Sequence, residues 1–299
     1  MQREERFGQA DRIIRYGFWI NAGLMIMKLL AGHFGRSEAV FADGIESGCD
    51  LIAILSTLVA LRIGRKPYDS EHPYGHGKAE SIAAILVSLI IFATGAGILI
   101  QATRSILLNE YYSPSLLAVA AAFATIVIKG WLYRFSVKTG NRLQSPALLA
   151  IAKDHRKDAL TSIATLIGVS GAFFGHELLD PLAAGITSLL IFHIGYQTFL
   201  AAAQDLMDAL PAAELLQEIT AMAEAVSGVE HVHEIRARRS GQYLIVDLKL
   251  EMDPEMTVKR SHDIAIQVKK EIFASFLNVG DVMIHINPHE EEHEDLIRL

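Results

Sequence analysis

The chain has a single cysteine, Cys49, among 299 residues, which excludes an intramolecular disulfide framework. Nor is there a basic patch interleaved with aromatics, and the net charge of −7 comes mostly from the second half and its acidic tail, so nucleic acid is not an expected partner. No His-Glu-x-x-His run lies in the apolar stretches, the one in the chain being His289-Glu290-Glu291-Glu292-His293 in the acidic tail, and no Ser/His/Asp set converges, which argues against an intramembrane metalloprotease or serine hydrolase. Gly75 and Gly77 follow no strand and do not make a nucleotide loop. Met1–Asp11 is polar and the first apolar run is too long for a signal h-region, so no cleavable signal peptide is expected.

What is present in quantity is apolarity. Hydrophobic residues make up 51% of the chain and charged residues 20%, and the charges are unevenly spread. Six stretches are long enough for a bilayer core of about 30 Å: Ile13–Phe34, Glu38–Ile63, Ala79–Leu107, Ser115–Val137, Ala147–Gly175 and Leu182–Ala203. Gly35, Pro67, Pro73, Pro114, Gly140, Pro146 and Pro181 punctuate the connectors. Arg3, Arg6, Arg12, Arg15, Arg62, Arg65, Lys66, Lys78, Arg134, Lys138 and Arg142 flank one side, and only Arg36 and Arg104 the other. The positive-inside rule then places both termini in the cytoplasm, consistent with six spans.

From about residue 208 the pattern changes to that of a soluble α+β domain. Ala212–Val226 and Val258–Phe276 read as helices; His231–Arg238, Tyr243–Glu251 and Val282–Ile286 read as strands, an order αββαβ. The expected division is 1–207 for the membrane part, 208–290 for the soluble domain and 291–299 for an acidic, His-containing tail.

Charged residues inside the apolar runs carry the functional signal. Glu46 and Asp50 lie within Phe41–Ile63, and Asp154 and Asp158 within Ala147–Gly175. Each pair is spaced i, i+4, which puts both carboxylates on one helix face. One charge at the centre of a membrane helix costs roughly 2.5–3.5 kcal/mol, so four need compensation. Carboxylate oxygens are hard ligands, and four from two helices can enclose a divalent cation. The competing reading is that they form packing salt bridges with Lys28, Lys129, Lys153 or Lys157. The register on the fifth span has an alternative too: His155 and Asp158 are spaced i, i+3, although Asp154 matches the geometry of the first pair better. Asp43 and Ser47 share the face of Glu46 and Asp50.

Further candidates lie outside the spans. Asp69, His72 and His76 form a compact oxygen and nitrogen set in the second–third loop, either a Zn²⁺-type site or a structural turn. His231, His233, His262 and His285 fall on two strands and a helix of the C-terminal domain. The cluster His289–Asp295 reads as a solvated end.

These motifs resemble those of the cation diffusion facilitator family. The resemblance is carried by Asp43–Asp50 with Ser47, by His72-Pro-Tyr-Gly-His-Gly-Lys-Ala-Glu80, by Asp154–Asp158 followed by Ser162, and by Leu206-Met-Asp208. It spans nearly the whole chain. It implies six transmembrane helices, a C-terminal ferredoxin-like domain, and a homodimer that exports divalent metal from the cytoplasm in exchange for protons. The implied transport site is Glu46, Asp50, Asp154 and Asp158; the loop site is Asp69, His72 and His76; the cytoplasmic site is His233, His262 and His285. Lys78 and Asp208 match a charge pair that locks the protomers near the membrane surface. Protons and membrane lipid are the other implied partners. The metal is substrate and regulator, and no cofactor is implied.

Two departures from that pattern matter. Zinc-transporting relatives place a His among the four transport ligands, whereas all four here are acidic, which shifts preference toward Mn²⁺ or Fe²⁺ while leaving Zn²⁺ within reach. In the C-terminal domain Lys249 and Asn287 stand where zinc relatives have ligands, and Lys249 would repel a cation. The alternative function for such a chain is a non-transporting membrane metal sensor or scaffold.

Overall fold

The computed structural model describes residues 3–143 and 146–289. Six long helices come first: α1 (Arg3–Phe34), α2 (Glu38–Gly64), α3 (Ala79–Leu108), α4 (Leu116–Leu143), α5 (Pro146–Phe173) and α6 (Leu179–Leu206). They are followed by α7 (Ala213–Glu224), β1 (His231–Ser240), β2 (Tyr243–Met252), α8 (Val258–Ser275) and β3 (Val279–Pro288), which realises the expected αββαβ order. The chain divides into two compact units, one of Met1–Ser56 with Leu86–Phe199 and one of Thr57–Ile85 with Leu200–Leu299.

Among the described residues four helices, α2, α3, α4 and α6, are long and apolar enough to cross a membrane. The remaining two of the six expected spans, α1 and α5, have the length but not the apolarity. Lys153, Asp154, Arg156, Lys157 and Asp158 crowd five charges into the first half of α5.

Small residues let the helices of the first unit approach closely. One apolar cluster joins α2, α3 and α6 through Ala42, Cys49, Ile91, Ile98, Ala184 and Ile191. A second joins α1, α2, α4 and α5 through Ala31, Val40, Ala118, Ala122 and Val169. α2 belongs to both, so its polar face is held between them. Its start is fixed as well: Ser37 Oγ accepts from Val40 N at 3.1 Å in an N-cap, and Asp180 of α6 accepts from Ser37 Oγ at 2.6 Å and from Glu38 N at 2.5 Å. Two otherwise orphaned groups at this helix end are thereby satisfied inside the bundle.

The second unit contains a three-stranded sheet in the order β1-β2-β3, with β1 and β2 antiparallel and β2 and β3 parallel. Its core gathers Ile219 and Ala223 of α7, Ile264, Val268 and Ile272 of α8, and Val246, Leu248 and Leu250 of β2. Thr257 caps α8 by accepting from Arg260 N at 3.3 Å. β3 is longer than the alternation of Val282–Ile286 suggested, because its pairing with β2 runs from Val279 to Pro288.

Candidate metal-transport site

Glu46 is buried on α2, and its Oε2 has no hydrogen-bond partner. That is costly for a carboxylate oxygen unless a ligand or proton meets it. Asp50 is half-buried one turn further along. On α5, Asp158 is half-buried and acts electrostatically on both Glu46 and Asp50, which places the α2 and α5 acids in one electrostatic neighbourhood.

Two buried lysines enter this region, both named from the sequence as alternative partners. Lys129 of α4 lies 2.5 Å from Asp158 Oδ2. Lys28 of α1 lies 2.9 Å from Asp43 Oδ1 and donates to Ser47 Oγ at 3.0 Å, while Ser162 Oγ of α5 donates to Asp43 Oδ2 at 3.2 Å. The salt-bridge reading therefore holds for Asp158, and Asp43 joins α1, α2 and α5 in a polar network. Neither pair leaves Glu46 or Asp50 with a lysine in ion-pair contact.

Asp154 and His155 sit differently. Asp154 is exposed, and its charge interacts with Asp158, Lys157 and Lys129. His155 is 3% exposed, its Nδ1 has no hydrogen-bond partner, and its Nε2 faces Gly17 of α1. No three of Glu46, Asp50, Asp154 and Asp158 bring ligand atoms within 4.8 Å of one another.

The loop set is gathered. Asp69, His72 and His76 are the group of three His, Cys, Asp or Glu residues among the described residues whose ligand atoms lie within 4.8 Å. Asp69 Oδ1 accepts from His72 N at 2.7 Å and Glu71 N at 3.0 Å, so an Asx-type turn aims the carboxylate. His72 Nδ1 is 3.1 Å from Oδ1 and His76 Nε2 is 3.5 Å from Oδ2. Donation from the His72 backbone holds the Asp69 carboxyl below its usual range. Nitrogen and oxygen donors on a short turn suit a borderline cation such as Zn²⁺. Gly77 is required beside it, since a Cβ there would stand 2.4 Å from the Ser240 carbonyl carbon of β1.

Lys78 pairs with Asp208 at 2.6 Å, and Arg238 of β1 reaches the other oxygen at 3.3 Å. Asp208 has φ of 58° and takes the left-handed position that ends α6 in a Schellman motif. Ala209 N donates to Gln204 O at 3.0 Å and Asp208 N to Asp205 O at 3.4 Å. The Asp205 carbonyl also accepts from Lys78, so one ammonium serves both the helix end and the carboxylate. The Lys78 bond holds the Asp208 carboxyl below its usual range.

In the sheet domain the structure does not gather His233, His262 and His285. His262 lies on α8 and His285 on β3, both exposed, and His233 falls at a bulge of β1 between Val232 and Glu234. His233 Nδ1 instead lies 3.0 Å from Glu251 Oε1, and His289 Nδ1 lies 2.8 Å from Glu251 Oε2. Sequence reading missed Glu251, which shares its face of β2 with Asp247 and Lys249 and so does not stand out by charge. Lys249 is not a bare repelling charge, because Glu234 Oε2 is 2.7 Å away and the pair holds the Glu234 carboxyl below its usual range.

An acidic interior within apolar helices, followed by a small sheet domain, defines a membrane protein that handles cations. Family comparison agrees in both halves: the cation efflux transmembrane domain matches residues 14–207, and the cytoplasmic domain of cation efflux proteins matches residues 211–289. The chain belongs to the cation efflux, or cation diffusion facilitator, family. It is 38% identical over 279 residues to the manganese efflux system protein MneP of Bacillus subtilis, covering 91% of this chain and 94% of that one. It is 32% identical over 295 residues to metal tolerance protein C1 of Arabidopsis thaliana, covering 94% of this chain and 63% of that one. A nickel form of the MamM CTD is similar to 26% of this chain and all of its own, at 28% identity and a TM-score of 0.26.

Proposed function

We propose that this chain is a secondary active transporter that exports divalent metal from the cytoplasm by proton antiport, with Mn²⁺ or Fe²⁺ favoured and Zn²⁺ accepted. The observation that carries the reading is the buried, unpartnered Glu46 oxygen beside Asp50 and Asp158, inside helices that have no soluble reason to hold acids. Glu46, Asp50, Asp154 and Asp158 are the transport ligands, and metal and protons compete for their oxygens. An all-oxygen set suits Mn²⁺ better than Zn²⁺. The name of the 38% identical relative, a manganese efflux protein, supports the same preference.

In this reading α1 and α5 complete six spans, both termini are cytoplasmic in a cell inner membrane, and residues 208–290 form a ferredoxin-like domain that joins two copies into a homodimer. Asp69, His72 and His76 form a cytoplasmic loop site, His233, His262 and His285 take metal at the dimer interface, and Lys78 and Asp208 hold the protomers near the membrane surface. Residues 291–299, read from the sequence as an acidic, His-containing tail, lie outside the described residues.

The test is Mn²⁺ uptake into proteoliposomes with and without a pH gradient, repeated for Fe²⁺, Zn²⁺, Co²⁺ and Cd²⁺. Uptake driven by the gradient and lost in Asp50→Ala and Asp158→Ala supports the reading. Binding without gradient-driven movement would make the protein a sensor or scaffold.

A further inference from the structure

Lys129 has no role in a plain carboxylate cage, yet it holds one of the cage's members. Its side chain is 4% exposed on α4, and its ammonium lies 2.5 Å from Asp158 Oδ2. The other buried lysine, Lys28, is committed to Asp43 and Ser47, so Lys129 is the buried lysine that touches a proposed ligand among the described residues. Its charge also reaches Asp50, which has no lysine of its own in contact. The four acids are meanwhile not drawn together within 4.8 Å in any group of three.

We propose that Lys129 is a tethered counter-cation of the transport site. It occupies Asp158 when the metal is away and must release it when the metal binds, and so it sets how tightly the ion is held and how fast it leaves. This inference rests on the transport reading given above.

The physics is competition for one carboxylate. A charge-assisted hydrogen bond inside a protein is strong because little water screens it. A divalent ion on Asp158 brings two further positive charges against the ammonium, so capture must break the ion pair and displace Lys129. When the metal departs, the lysine returns and opposes rebinding. A pathway needs binding strong enough to admit the ion and weak enough to release it, and a tethered cation supplies the weakening without removing a ligand. A buried ion pair kept only for stability has no such kinetic consequence.

The experiment compares full-length wild type with Lys129→Met, Lys129→Gln and Lys129→Arg. Mn²⁺ affinity is measured on purified protein by competition with a fluorescent chelator, and Mn²⁺ transport in proteoliposomes gives KM and kcat. Lys129→Met and Lys129→Gln are expected to bind Mn²⁺ at least about tenfold more tightly, roughly 1.4 kcal/mol, with KM and kcat both reduced. Lys129→Arg keeps the charge and should stay near wild type. Unchanged or weaker Mn²⁺ binding in folded Lys129→Met and Lys129→Gln overturns the proposal, as does a fall in kcat with KM unchanged. Failure of both neutral variants to fold, with Lys129→Arg intact, assigns the charge to stability and also overturns it. A wild-type protein that neither binds nor moves Mn²⁺ defeats the transport reading itself, whereas a competent wild type matched by its neutral variants defeats only the role given to Lys129.

Discussion

Neutralising Lys28 should damage the fold more than almost any other single change to a charged residue of the bundle. Its side chain is 1% exposed and that of its partner Asp43 is 4% exposed, with 2.9 Å between the charged atoms. Lys28→Met removes two donated hydrogen bonds and leaves Asp43 with the single hydroxyl of Ser162 at 3.2 Å. An uncompensated buried charge costs about 3–5 kcal/mol, whereas replacing both partners with neutral groups is often close to neutral. Against a total stability of roughly 5–15 kcal/mol, the single variant loses a large fraction. Lys28→Met and Asp43→Asn alone should therefore each be strongly destabilised, while the double variant regains most of the loss. Two single losses of about 3–5 kcal/mol each and a small loss in the double variant make the coupling about 5 kcal/mol or more, above the ordinary range for residues in contact. Unfolding of the four proteins in one detergent, followed by tryptophan fluorescence, measures it. Singles that lose less than about 1 kcal/mol, or losses that simply add, would show that the pair is not the buried interaction its geometry describes.

Further outcomes follow from the same geometry. Asp154→Ala should reduce metal flux far more than His155→Ala, and the opposite ranking in a proteoliposome assay would move the α5 ligand to His155. Glu46→His or Asp154→His should raise Zn²⁺ transport relative to Mn²⁺, because each supplies the softer nitrogen donor; an unchanged profile would place selectivity elsewhere, such as at Asp69, His72 and His76. Divalent metal binding by the protein should weaken when His233, His262 and His285 are all changed to Ala, as read by calorimetric titration, and unaltered binding removes them as ligands. Because Lys78 depresses the Asp208 carboxyl, the stability this pair contributes is fully present above the ordinary value of 3.8 and is lost as pH falls through the lowered one. The two side chains are 32% and 43% exposed, so the pair contributes at most about 1 kcal/mol. The small stability gap between wild type and Asp208→Asn should hold at neutral pH and close only in strong acid; a gap that closes near pH 6 would point to a different titrating group.

Elements with their own periodicity were legible in the sequence. The long apolar helices and the αββαβ order came directly from patterning, whereas the caps at Thr257 and Ser37 emerge only in the structure. Element ends were less legible where a partner sets them. Gly280, Asp281 and Pro288 are poor strand formers, yet β3 includes them because β2 continues to offer hydrogen bonds alongside. The bulge at His233 likewise depends on pairing, and it turns that imidazole toward Glu251 rather than toward His262 or His285.

The candidate site shows the same division between what spacing dictates and what rotation of a helix decides. Spacing of four placed Glu46 with Asp50 and Asp154 with Asp158, but it says nothing about which acid meets a lysine from another helix. Lys28 and Lys129 were both possible partners on composition alone. The close packing of α1 and α2, where a Cβ on Gly32 would stand 2.5 Å from the Phe41 backbone, brings Lys28 to Asp43 rather than to Glu46. The packing of α4 on α5 brings Lys129 to Asp158. Two cations thus meet two acids, and Glu46 and Asp50 remain without a lysine in contact. Full pairing would leave an inert polar core, and no pairing would leave more buried charge than helices of this apolarity can hold. Partial pairing limits the buried charge and, on the proposed transport reading, would leave Glu46 and Asp50 to meet a divalent ion, which makes the lysines as informative as the acids they face.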